Sequence, residues 1–157
     1  MALGLAAPAS QASAAPAVTT ADSRLLPTPQ FRRYGTAAGL PSSSAYAVVQ
    51  DRDGAMWFST KGGIARYDGV NFKVFRHSAG DPGSLHENGI ASLLIDSHGR
   101  LWAGGLEAGL NRYDADTGSF THWGHDPHDP SSLSSDKVWT IAQDVDGSIL
   151  GGTRSEE

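Results

Sequence analysis

Asp51-Arg-Asp-Gly-Ala-Met-Trp57 returns as Asp96-Ser-His-Gly-Arg-Leu-Trp102 and, without the aromatic, as Asp144-Val-Asp-Gly-Ser-Ile-Leu150. The shared Asp advances by 45 residues and then by 48, and the shared Gly (Gly54, Gly99, Gly147) moves with it. Self-similarity at a period of about 40–50 residues is the signature of supersecondary units stacked side by side, propeller blades among them. A unit of that kind cannot bury its apolar faces alone, so neighbouring copies must cover it. Whatever the chain does therefore belongs to an assembled array rather than to a single motif.

Within each copy the pattern is that of all-β structure: short apolar runs separated by Gly- and Asp-containing turns. The first run, Ala45–Gln50, has equivalents in Ile90–Ile95 and Val138–Gln143. Each is nearly continuously apolar, as expected of an inner strand covered on both faces. Next come Asp53-Gly54, His98-Gly99 and Asp146-Gly147, which read as two-residue hairpins with Gly supplying the positive φ. Second strands are expected over Met56–Thr60, Leu101–Gly105 and Ile149–Thr153, third strands over 63–68 and 109–114, and outer strands over Phe72–Phe75 and 120–123. The outer-strand aromatics stand three apart, out of step with the two-residue strand period, which predicts a bulge or sharp twist there.

Phe31-Arg-Arg-Tyr34 has the same aromatic spacing and precedes Gly39-Leu40 as Phe72 to Phe75 precedes Ser84-Leu85. It reads as an outer strand that arrives before any inner one. In a closed ring such a strand completes the last blade and removes a sheet edge. The expected organisation is a leader over residues 1–22, a linker with the orphan outer strand over 23–39, a first blade over 40–84, a second over 85–132 and a truncated third over 133–157. The expected fold class is all-β, an incomplete β-propeller of about two and a half four-stranded antiparallel blades.

The 157 residues carry a net charge of −5 with no basic stripe, which argues against nucleic acid as a partner. The absence of cysteine excludes a disulfide framework and a thiolate zinc site. Residues 1–21 are uncharged and almost entirely small or apolar, and Ala12-Ser13-Ala14 has the small-x-small form of a signal-peptidase site. No Lys or Arg precedes Arg24 and the apolar run is short, so the segment reads as the tail of an export signal. No apolar run is long enough to span a membrane, so this segment is expected to make no membrane contact.

The unit Leu-(Pro/Ser)-Ser-Ser…Val-x-x-Gln-Asp-x-Asp-Gly-x-x-Trp-x-x-Thr-x-x-Gly-Ile-x-Arg-Tyr-Asp resembles the two-component-regulator propeller repeat. Residues 40–77 fit it closely, 85–125 fit with one insertion near Glu107, and 133–153 fit its first half; Gly105 and Leu150 depart from the usual Thr and Trp. The resemblance implies a periplasmic sensor held in the inner membrane in its full-length form, with a histidine kinase or diguanylate cyclase as output. It also implies a small-molecule or oligosaccharide ligand and signalling through rearrangement of a homodimer. None of the output motifs is in this sequence, so the segment is not expected to be an enzyme. The alternatives are a piece of a secreted propeller lyase of the streptogramin-inactivating type, whose repeats also carry Gly-x-x-Trp-Phe, and a non-catalytic interaction scaffold.

Arg66 and Arg112, each beside a Tyr-Asp pair, are the residues most suited to gripping a ligand, because a guanidinium presents a planar fork to carboxylates and hydroxyls. A repeated Arg–Asp pair within each blade is the competing expectation. Tyr46 and Trp139 share one inner-strand position from which an aromatic face can stack on a ligand. Asp51, Gly54, Trp57, Asp96, Gly99, Trp102, Asp144 and Gly147 read as the structural skeleton of the repeat. His122, His125 and His128 have a metal-like spacing, yet His125 aligns with His77 in an ordinary inter-blade loop, so no metal or cofactor is expected. The Asp-Gly turns offer two carboxylates at most, too few oxygens for calcium.

Overall fold

In the computed structural model the described residues are 30–153. The expected leader over residues 1–22 lies outside them. Two compact units divide between Arg32 and Arg33, and all ten described strands belong to the second.

The strands are β1 (Ala45–Gln50), β2 (Met56–Thr60), β3 (Gly63–Tyr67), β4 (Phe72–Phe75), β5 (Ile90–Ile95), β6 (Leu101–Gly105), β7 (Leu110–Asp114), β8 (Ser119–Trp123), β9 (Val138–Gln143) and β10 (Ile149–Thr153). They form antiparallel sheets in the orders β1-β2-β3-β4, β5-β6-β7-β8 and β9-β10. The first two are complete four-stranded blades, and the third sheet is a hairpin. The only helical turn among the described residues is a 3-10 turn at Thr36–Ala38.

Cross-strand register decides what each blade presents. In the first blade Val49, Trp57, Arg66 and Lys73 lie in one row across the four strands, and Ser59, Ile64 and Phe75 lie in another on the same side. That side meets the second blade, whose Leu93, Leu101, Ala103 and Phe120 close a core with Trp57, Ile64 and Phe75. Leu85, from the connecting loop, and Ile90 complete it, and both are buried almost completely. The inner strands were expected to be covered on both faces; β1 is not, since Tyr46 and Val48 remain about half exposed on the side away from the second blade.

The two inter-blade loops are built alike. His77 and His125 set Nδ1 against the carbonyls of Leu85 (2.9 Å) and Leu133 (2.7 Å). Their backbone amides donate to Asn88 Oδ1 and Asp136 Oδ1. The Asp of each Asp-Pro pair accepts its own turn amide, from Gly83 and from Ser131. One loop conformation therefore sets both blade-to-blade steps.

Three local expectations change. The Asp-Gly hairpins are three-residue loops: Gly54 N–H donates to the Asp51 carbonyl and Asp51 N–H to that of Ala55, with the same pattern at Asp96 and Asp144. Among the described residues only glycines take positive φ, here Gly54, Gly99 and Gly147 at 83° to 90°, whereas a two-residue type I′ turn would also need positive φ at Asp53. The outer strands carry no bulge; β4 and β8 pair in unbroken register, and the shifts fall in the first and second strands at Ala45/Ala47, Ile90/Ser92 and Gly152/Thr153. A spacing of three instead sends Phe72 and Phe75 to opposite faces, one toward Tyr67 and the other toward Trp57. Residues 30–35 form no strand, although Tyr34 packs against Tyr67 and Phe72 of the first blade.

Gly105, which stands where the first blade has Thr60, is demanded by the inserted loop. A Cβ there would lie 2.1 Å from that of Ala108. Thr60 holds its own tighter turn, its hydroxyl donating to the Gly63 carbonyl and accepting from Gly62 N–H.

Trp57 is 3% exposed and packs against both blades. Trp57→Ala should lower unfolding free energy by about 3–5 kcal/mol. Leu150→Ala, at a site 53% exposed, should cost under about 1 kcal/mol. Urea denaturation of the two variants checks the contrast.

Candidate ligand-binding cleft

The repeated Asp is a clasp with two separate oxygens. In the first blade Asp51 Oδ1 accepts the amides of Asp53 (3.1 Å) and Ala55 (2.9 Å), while Oδ2 accepts the Trp57 indole N–H at 2.8 Å. In the second, Asp96 Oδ1 accepts the amides of His98 and Arg100, both at 2.9 Å, and Oδ2 accepts Trp102 Nε1–H at 2.9 Å. One carboxylate thus ties the first turn of the blade to the core tryptophan. In the third sheet Leu150 offers no indole, and among the described residues Asp144 Oδ1 takes the adjacent Val145 amide.

A cation completes each clasp, but not the same one. Arg66, on β3, reaches Asp51 Oδ2 at 3.3 Å and lies over the Trp57 ring, 5.6 Å from its centroid. Its counterpart Arg112 makes no ion pair among the described residues. Asp96 Oδ2 is instead taken at 2.6 Å by Arg100, which stands where the first copy has Ala55. Arg112 lies over Trp102 and Trp123, 5.8 Å and 5.5 Å from their centroids. The expected Arg–Asp pairing holds in the first blade and is rewired in the second. The Asp of each Tyr-Asp pair instead closes the next turn. Asp68 accepts the amides of Val70 and Asn71, and Asp114 those of Asp116 and Thr117.

Between the first two blades, where these turns come together, opens a cleft of about 770 Å³. Trp57, Arg66 and Lys73 line it from one side, and His98, Tyr113 and Asp114 from the other. Lys73 rides over the Phe75 ring at 5.0 Å. Burial pushes the Tyr113 phenol above its ordinary value, with Arg66 pulling against that. The cleft therefore sets guanidinium, ammonium and carboxylate groups around a half-buried Tyr113 that packs on the buried Trp57, which suits a polar, hydroxyl-rich molecule.

The rim is cross-tied at a single residue. The Arg52 guanidinium donates to the Ser97 carbonyl, and Gln143 Oε1 accepts Ser97 N–H at 2.7 Å. Ser97 is thus held from the blade before it and the sheet after it.

Of the residues expected to bind ligand, Arg66 and Arg112 line the cleft, and Tyr46 and Trp139 do not. These two are about half exposed on β1 and β9. Lys73, Arg52, Arg100 and Tyr113 belong to the cleft and were not anticipated. The signal for Lys73 was its register opposite Arg66; Arg100 differs from Ala55 at a position the repeat leaves free, so nothing marked it. On the opposite face of the molecule a smaller depression of about 290 Å³ holds His77, His86 and His122, and the rings of His86 and His122 stack at 4.7 Å. His125, the middle ring of the metal-like spacing, is engaged by the Leu133 carbonyl.

Repeated antiparallel blades with an Asp–Trp clasp define a β-propeller architecture. Residues 39–62 match the family described as two component regulator propeller. Over 76% of its length the chain resembles the extracellular domain of the hybrid two component system BT3049 from B. thetaiotaomicron, with a TM-score of 0.70 and 27% identity, spanning 17% of that chain. The extracellular domain of the hybrid two component system BT4673 from the same organism is similar over 76% of this chain and 22% of its own, at 22% identity and a TM-score of 0.42. Histidine kinase P4 of Formosa agariphila is 33% identical over 55 residues, which are 35% of this chain and 4% of that protein. The chain spans under a quarter of the length of each of these relatives. Residues 39–62 thus carry a two component regulator propeller repeat, within a fold similar to that extracellular domain.

Burial by itself raises the Asp96 carboxyl, but the bonds from the Trp102 indole, the Arg100 amide and guanidinium and the His98 amide outweigh it and hold the pKa down to about 2. Unfolded Asp titrates near 3.9, so this group contributes stability fully present above about pH 5 and lost as pH falls through about 4 toward 2. The contribution is on the order of 2 kcal/mol. Asp96→Asn should flatten that part of the stability–pH profile, as read by urea midpoints between pH 2 and 6.

Proposed function

We propose that this segment is the ligand-receiving part of an exported, periplasmic sensor whose output, a histidine kinase or a diguanylate cyclase, is carried elsewhere in the full-length receptor. The family match and the likeness to the extracellular domain of a hybrid two component system support this reading. No helix among the described residues is long and apolar enough to cross a membrane.

The observation that carries the ligand reading is the inter-blade cleft, in which Arg66 and Lys73 stand side by side opposite Tyr113 and Asp114. The ligand class is a small molecule or oligosaccharide. The open part of Tyr113 takes its apolar side while Arg66, with Asp51 behind it, takes its polar groups. Tyr46 and Trp139 offer further stacking faces on the inner strands. Occupancy alters how the blades seat against one another, and a homodimer of the full-length receptor passes that change inward.

Isothermal titration of the purified chain with a panel of neutral and acidic oligosaccharides tests this. At least one should bind saturably, and Arg66→Lys, which keeps the charge but loses the fork, should weaken it about tenfold. Binding by no member of the panel, or an Arg66→Lys variant that binds as well as the parent, would sink the reading.

A further inference from the structure

The tyrosine near the end of the third strand is used differently in the two blades. In the first, Tyr67 Oη donates to the Gly69 carbonyl at 2.6 Å, so the following turn takes up the hydroxyl. In the second, that turn is two residues longer, 114–119 against 68–71, measured between the paired Tyr113 and Phe120 and the paired Tyr67 and Phe72. Asp114 closes it by accepting the amides of Asp116 and Thr117, and Gly118 N–H donates back to the Asp114 carbonyl. The longer turn brings no acceptor to Tyr113, whose hydroxyl makes no hydrogen bond among the described residues.

The phenol is nevertheless held in one place. Its ring lies 5.0 Å from Trp57, 5.2 Å from Phe75 and 5.2 Å from Phe120. Lys73 reaches the same Phe75 from the first blade, its Nζ 5.0 Å from the ring centroid, and it has no ion pair among the described residues. A Cβ on Gly118 would stand 3.9 Å from Tyr113 Oη and 4.0 Å from Lys73 Nζ. A phenol from one blade and an ammonium from the other thus face one small space, beside a residue with no side chain to fill it. The charge of Arg66, by contrast, is already met by Asp51 at 3.3 Å. The second blade has Thr121 where the first has Lys73, so this arrangement belongs to one interface and not to the repeat.

We propose that Lys73 and Tyr113 form a seat for a carboxylate carried by the ligand, an inference that rests on the inter-blade cleft being the ligand site. One carboxylate oxygen accepts the phenol O–H and the other accepts from the ammonium, both as charge-assisted bonds. Asp114 and Asp116 line the same cleft and repel a dianion such as a phosphate monoester, which leaves a monoanion as the fitting charge. A neutral ligand of the same shape covers Lys73 without an anion to meet it, so the seat discriminates by charge as well as by contact.

Glucuronate, galacturonate and lactate, each beside its neutral methyl ester, and acetate as the bare anion, are titrated into the isotope-labelled full chain. At least one acid should shift the amide resonances of Asp116 and Gly118 saturably and bind about tenfold more tightly than its ester. Tyr113→Phe, which keeps the packed ring, and Lys73→Gln, which removes the charge, should each erase that preference with unchanged far-ultraviolet circular dichroism. Acetate binding as tightly as the hydroxylated acids, with the same dependence on both residues, supports the seat and assigns it to a free carboxylate; tighter binding of a hydroxylated acid supports it and assigns it to a carboxylate borne on a larger ligand. Acid and ester binding alike overturns the seat and leaves the cleft a ligand site. A preference for the acid that survives both substitutions overturns it too, as does absence of saturable binding by every probe up to about 10 mM; the neutral oligosaccharides of the calorimetric panel then decide the cleft separately.

Discussion

Everything in this fold hangs from a carboxylate that does two things at once. Asp51 and Asp96 satisfy the exposed amides of a tight turn with one oxygen and fix the indole of a core tryptophan with the other. The first bond sets the hairpin between the inner two strands. The second sets the rotamer of the residue on which the neighbouring blade packs. A buried indole N–H without an acceptor would cost about 1–3 kcal/mol, so the Asp and the Trp must travel together. That coupling is why the repeat is recognisable as a seven-residue string and not as a scatter of apolar positions.

From the clasp outward the architecture follows with few free choices. Trp57, held upright, stacks on Phe75, and the pair leaves room for one ring, which Tyr113 takes. The blade step is then fixed by a loop in which a histidine ring, a serine hydroxyl bonded to the carbonyl six residues before it and an Asp-Pro turn recur on both occasions. The cleft is a by-product of this packing: the rings fill the inner part of the blade interface, and the charged ends of Arg66, Lys73 and Asp114 are left at its outer rim.

The strands and their order were legible because every copy repeats the same succession of apolar run, Gly turn, aromatic run and Tyr-Asp end. Seven of the ten strands begin and end where the pattern puts them, and β3, β7 and β8 shift by one residue at one end. What misled was the outer strand. An aromatic spacing of three looks like a fault in a two-residue period when both rings are assumed to seek one core, but a blade has a core on each side. Charge partners were less legible still. Arg66 and Arg112 both open an Arg-Tyr-Asp string, and the side chain at Arg100, a position where Ala55 and Ser148 also occur, takes the carboxylate that the first blade leaves to Arg66. Tyr46 and Trp139 share a register without sharing a cavity, since equivalence by repeat places residues on different blades and not beside one another.

Asp144 shows how such a device erodes. Its turn keeps the backbone bonds of the other two, Gly147 N–H to the Asp144 carbonyl and Asp144 N–H to that of Ser148, although the tryptophan is gone. The hairpin's shape and the residues that advertise it are separable. The family match falls on 39–62, in the first copy, although the second copy keeps both clasp and indole and the third follows the same backbone path. In arrays of this type detectable kinship underestimates the number of blades, because selection can relax on the emblem while geometry goes on being inherited from the neighbour against which each sheet is laid.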